Sequence, residues 1–138
     1  MPYMKDFLSW FNLKPILDNK QTVPPFANQE IWWCSIGVNV GTEIDGKNSS
    51  TSLSKSQFTR PVIILKKLSR FNFIGIPLTS KNKIGSWYFP LKMKDKESNL
   101  LFSQVRTFDS RRLQRKIEKI SDTQFSQIKK SYLKFLDT

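Results

Sequence analysis

The sequence predicts a mainly β domain with one C-terminal α-helix: a small twisted barrel with that helix packed on it, preceded by a helical arm. Three observations lead there. Five short runs of β-branched, aliphatic and aromatic residues follow one another between residues 30 and 105. Polar or basic turns separate them. The last segment, 121–137, changes to helical spacing, with Phe125, Ile128, Tyr132, Phe135 and Leu136 on one face and Lys129, Lys130 and Lys134 turned away.

Residues 1–28 are read as an arm and linker, and 29–138 as the domain. In the arm, apolar residues at 7, 8, 10, 11 and 13 suggest a short helix that Pro15 would limit. The stretch NKQTVPPFANQ follows, polar and stiffened by Pro24–Pro25, and reads as a linker. The arm either packs on the body or binds a partner. EIWWCSIGV (30–38) is the first strand. NVGTEIDGKNSSTSLSKSQ (39–57) is a long polar loop, and loops of this length in small domains are usually functional or disordered. A buried strand at 61–67 opens on Pro61, where a missing N–H is tolerated. FNFIGIPL (71–78), SWYFPLKM (86–93, interrupted by Pro90) and NLLFSQV (99–105) are further strands, with KDKES as a turn. RRLQRKIEKI (111–120) is an edge strand or a short helix. Ser121 followed by Gln124 has the spacing of a capping box at the start of the last helix.

Composition narrows the function classes. The chain of 138 residues carries a formal charge of +12, which favours a polyanionic partner: nucleic acid, an anionic membrane surface or an acidic protein. No run of 18 apolar residues exists, so no membrane-spanning helix is expected. The N-terminus lacks an apolar signal core, and the single Cys34 suits a reducing cytoplasm. There is no histidine, which excludes a serine–histidine triad and, with one cysteine, argues against a zinc site. Catalysis would have to run on Arg, Lys, Asp, Glu, Tyr, Ser or Thr.

Three stretches join a strand end to polar side chains. In TRP (59–61), Arg60 stands before a proline and is therefore extended. In PLTSK (77–81), Thr79, Ser80 and Lys81 end a strand. SQVRTFDSRRL (103–113) gathers Gln104, Arg106, Thr107, Asp109, Arg111 and Arg112. Each has a plain use. Arg60 could be a solvated ion-pair partner, Thr79 and Ser80 turn caps, and Asp109 a turn residue or the holder of an arginine. Trp32, Trp33 and Trp87 read as core or interface aromatics rather than base-stacking platforms.

Taken in order, QEIWWCSIG, GTEIDG, RPVIIL, IPLTSK and SQVRTFDSRRL resemble the MazF/PemK family of bacterial growth-inhibitor toxins across about residues 29–136. The resemblance implies a small SH3-like barrel that pairs into a homodimer. It implies an endoribonuclease that cuts single-stranded RNA selectively without metal or cofactor, and that an acidic antitoxin neutralises in the bacterial cytoplasm. Carried over by motif, the catalytic set is Arg60, Thr79, Arg106 and Glu43. Ser80, Lys81, Gln104, Thr107, Asp109, Arg111 and Arg112 would contact substrate. The loop between Glu43 and Arg60 is longer than in compact members, and Gln29–Glu30 replaces an opening Gly-Asp. A barrel of this kind can also serve as a binding module that cuts nothing. A basic helix at 121–137 could instead meet an anionic membrane.

Overall fold

A computed structural model describes residues 4–47, 58–81 and 83–137. Its order is helix α1 (Phe7–Asp18), strands β1 (Glu30–Ser35), β2 (Thr59–Ser69), β3 (Asn72–Thr79), β4 (Tyr88–Met93), β5 (Lys96–Leu101), β6 (Arg106–Asp109) and β7 (Leu113–Lys119), then helix α2 (Asp122–Leu136). Single turns of 3-10 helix, Phe102–Gln104 and Ser110–Arg112, flank β6.

The strands form one curled antiparallel sheet in the order β4-β5-β3-β2-β1-β7. β3 is the hinge of the curl. One edge pairs with β2, while the other is shared, residues 72–75 with β6 and 78–79 with β5. Register shifts in the β2–β3 and β1–β7 pairs add local bend and twist. The result is a half-barrel with two apolar faces. Ile31, Ile63, Ile76, Leu100 and Phe102 pack with Phe125 and Ile128 of α2. Trp32, Cys34, Val62, Ile64, Phe73 and Phe108 form the other cluster. Side chains alternate along a strand, so an unbroken Val-Ile-Ile run is buried because both faces of β2 are covered.

Several sequence expectations are corrected at prolines. α1 runs through Pro15, with Trp10 and Leu17 both buried to either side of it. Pro61 is the third residue of β2 rather than its first; it lies opposite Trp33, just beyond Val62, where pairing with β3 ends. Pro77 sits inside β3, where its outer edge passes from β6 to β5. Pro90 does not interrupt β4, because β4 is the outermost strand and proline is tolerated there. The turn in KDKES shrinks to Lys94 and Asp95, with φ of 46° and 66°, as a two-residue hairpin requires.

The segment 111–120 is the edge strand β7. The first strand stops at Ser35, and 99–105 divides between β5 and a 3-10 turn. β6 lies within a stretch read from sequence only as a polar box. In α2 the capping box forms, whereas Leu136 lies off the packed face, 59% exposed. Trp32 is buried, Trp33 half-buried and Trp87 exposed. Lys55 and the serines of the long loop lie outside the described residues.

Candidate functional site

The site is built where β2 begins and β3 ends. Arg60 leaves β2 in extended backbone, opposite Cys34 of β1. Its Nε donates to the Asp45 carbonyl at 2.8 Å and its Nη1 to the Leu78 carbonyl at 3.2 Å. Two backbone acceptors on separate segments fix the plane of the guanidinium. Each acceptor is itself held. The Ile44 N–H donates to Gln104 Oε1 at 3.0 Å, and Gln104 Nε2 donates to the Thr42 carbonyl at 3.1 Å. The Asp45 carboxylate accepts the Asn39 N–H at 2.6 Å. The next residue, Gly46, lies so close to β2 that a Cβ would meet the Phe58 carbonyl oxygen at 1.7 Å.

The residue after Leu78 is Thr79, buried and paired with Asn99 of β5. Its Oγ1 accepts the Lys81 N–H at 3.2 Å, and Asn99 Nδ2 donates to the Lys81 carbonyl at 3.0 Å. Ser80 and Lys81 are exposed beyond this turn. Arg60, Thr79, Gln104 and Lys81 therefore lie in one assembly, joined through the 42–45 segment and the end of β3.

Other sequence candidates lie farther out. Arg106 pairs with Gly75, four positions along β3 from Thr79, or about 13 Å at the usual strand rise. It is exposed, with its guanidinium 4.8 Å from the Phe108 ring centroid. Thr107 is exposed opposite Ile74. Glu43 is exposed on the loop that holds Arg60, and its carboxylate accepts the Val40 N–H at 2.9 Å.

Asp109, Arg111 and Arg112 face α1. Asp109 accepts the Arg111 N–H at 2.9 Å, capping the 3-10 turn, and pairs with the Arg111 guanidinium at 3.2 Å, so both plain uses are observed. Arg112 donates to the Ser35 carbonyl at 3.0 Å and lies 5.6 Å from the Trp10 ring. Burial, then the charge of Arg106, pulls its guanidinium below the ordinary value. With Trp10 and Lys14 these residues line a cavity of about 500 Å³.

Sequence reasoning passed over Asn99 and Asp45. Asn99 had a signal, a polar side chain beside the apolar pair Leu100–Leu101. Asp45 acts on Arg60 through its carbonyl, which every residue type carries. Among the described residues no group of three or more His, Cys, Asp or Glu is placed to hold a metal ion. Nor is any helix among them long and apolar enough to cross a membrane.

The sequence model of the family described as PemK-like, MazF-like toxin of type II toxin-antitoxin system matches residues 27–136. Comparison with curated protein sequences gives no match. Among solved structures, the chain resembles a Mycobacterium tuberculosis toxin, MazF-mt6, with a TM-score of 0.51 and 19% identity over 57% of this chain and 87% of that one. It also resembles an endoribonuclease in complex with its cognate antitoxin from a mycobacterial species, with a TM-score of 0.57 and 10% identity over 82% of this chain and 96% of that one.

Proposed function

Because the chain belongs to the PemK-like, MazF-like toxin family of type II toxin–antitoxin systems, we propose that it is a metal-independent endoribonuclease that cuts single-stranded RNA selectively. The observation that carries this reading is the Arg60 guanidinium, held by two backbone carbonyls beside the Thr79 turn. The charge of +12 and the antitoxin-bound endoribonuclease among the structural neighbours support it.

RNA supplies its own nucleophile. The ribose 2′-oxygen bonds to the adjacent phosphorus as the P–O5′ bond breaks, leaving a 2′,3′-cyclic phosphate. The 2′-hydroxyl loses a proton and the departing O5′ gains one. Negative charge gathers on the phosphoryl oxygens, and a cation already fixed in place stabilises it without reorganising. Arg60 is that cation. Its high pKa suits electrostatic work better than proton donation.

Thr79 accepts a hydrogen bond from Lys81, which leaves its own hydroxyl proton to donate to the scissile phosphate. Glu43, on the loop that anchors Arg60, is assigned to accept the 2′-hydroxyl proton. Arg106 is the second phosphate contact, and Ser80, Lys81 and Thr107 line the RNA path. Gln104 serves by holding the loop. The neutralising partner is an acidic antitoxin drawn to the basic strand β7, and the active form is a homodimer.

The test is cleavage of a long single-stranded RNA by purified, antitoxin-free protein in excess chelator. Discrete fragments with 5′-hydroxyl ends are expected. Arg60→Ala should slow their formation by about 100-fold or more, the loss typical of a preorganised charge-stabilising group. Intact RNA with folded wild-type protein would instead point to a binding module.

A further inference from the structure

α1 lies outside the segment that matches the family, yet it grips the loop on which Arg60 depends. Lys5, just before the helix, donates through Nζ to the carbonyls of Asn39 and Gly41, the latter at 3.1 Å. The same ammonium lies 3.5 Å from the Asp45 carboxylate, in a pair whose side chains are 20% and 13% exposed. Asp45 is the residue whose carbonyl holds Arg60 Nε. One turn into the helix, Trp10 is buried and meets Phe58 edge-on at 5.8 Å, two residues before Arg60. It also covers Gly37, where φ is +86° and a Cβ would lie 2.2 Å from the indole. The Gly37 carbonyl in turn accepts the Gly46 N–H.

Val38 and Phe58 stand at the two ends of the long polar loop. Both are buried with Trp10 and Leu17 in a third apolar cluster. One helix therefore packs on both feet of the loop, and one lysine ties down its 39–45 portion.

We infer that the N-terminal arm is a clamp for the active site, with Lys5 as a positioning residue that holds the 39–45 loop so that the Asp45 carbonyl keeps Arg60 aimed. The inference rests on the ribonuclease reading for its effect on rate, but the clamp itself is a property of the loop. A lysine that acts through loop geometry should change turnover. One that touches RNA phosphates should change affinity.

Lys5→Met and Lys5→Arg in the full chain separate these cases. Lys5→Met should lower kcat by about tenfold, as small misplacements of catalytic groups do, with KM for RNA within about twofold. Lys5→Arg, which keeps charge and donors, should recover most of the loss. Amide hydrogen exchange should quicken at 39–46 in Lys5→Met and stay unchanged in β3 and α2. Unchanged kcat, a raised KM with kcat kept, or unaltered exchange at 39–46 would each overturn the clamp. If the wild type leaves RNA intact, the ribonuclease reading falls, and the exchange comparison still decides whether Lys5 holds the loop.

Discussion

Arg60 shows how little of a residue's role lies in its own chemistry. Its charge is common on a surface this basic; its orientation comes from carbonyls 15 and 18 positions away. Glu30 illustrates the same point for stability. Burial raises its carboxyl pKa, but bonds from Trp32 Nε1 at 3.0 Å and the Ala27 N–H at 2.9 Å, with Lys116 at 3.1 Å, outweigh that and hold it below the ordinary value. Because the folded pKa is the lower one, the ionised carboxylate stabilises the fold above the unfolded value of ~4.3. That contribution is lost as pH falls through the lowered folded value. Glu30→Gln should therefore melt below the wild type at pH 7, and the gap should shrink as pH falls through the lowered folded value. A gap independent of pH would mean that packing, not charge, sets the difference. Cys34 lies in β1 between β2 and β7, fully buried, and burial pushes its thiol up to about 12, so it packs as a core residue.

At the scale of elements, local signals held where local physics decides. The helix α2 begins where Ser121 and Gln124 cap each other. Ser121→Ala should cost about 1 kcal/mol, or a few degrees in thermal midpoint. RNA cleavage per folded molecule should stay the same, because α2 lies on the face away from the Arg60 assembly. A loss of cleavage at unchanged stability would place α2 in the site. Signals failed where a neighbour decides. Pro15, Pro61 and Pro90 read as a limit, a strand start and an interruption, yet each lies inside an element. Whether a strand proline breaks a ladder depends on which edge is paired at that residue, and that depends on strand order. β6 escaped notice because four residues, three of them polar, become a strand only when β3 offers an edge.

For the molecule as a whole, the excess of 23 basic over 11 acidic residues predicts that RNA binding weakens steeply with salt. Measured with Arg60→Ala so that the RNA stays whole, the slope of log affinity against log salt should fall by about 0.7 in Lys81→Met, one released counterion on a single strand. An unchanged slope would remove exposed Lys81 from the RNA path. The same charge looks different once folded. Arg111 and Arg112, which the sequence places in one box with Gln104 and Arg106, turn toward α1, one paired with Asp109 and one bonded to Ser35. The box spans a strand and two tight turns, and the chain changes direction at each.

By itself the sequence determined the mainly β class, most of the strands, the capped helix α2, the basic balance and the extended backbone at Arg60. Each of these follows from side-chain period, propensity or charge within a few residues. Tertiary structure alone decided that Asp45 and Leu78 carbonyls anchor the arginine and that Asn99 braces the Thr79 turn. It alone decided that Lys5 and Trp10 grip the loop from outside the family segment. Those contacts join backbone groups and distant positions. A carbonyl has no residue identity to read, and only strand register determines which distant groups meet.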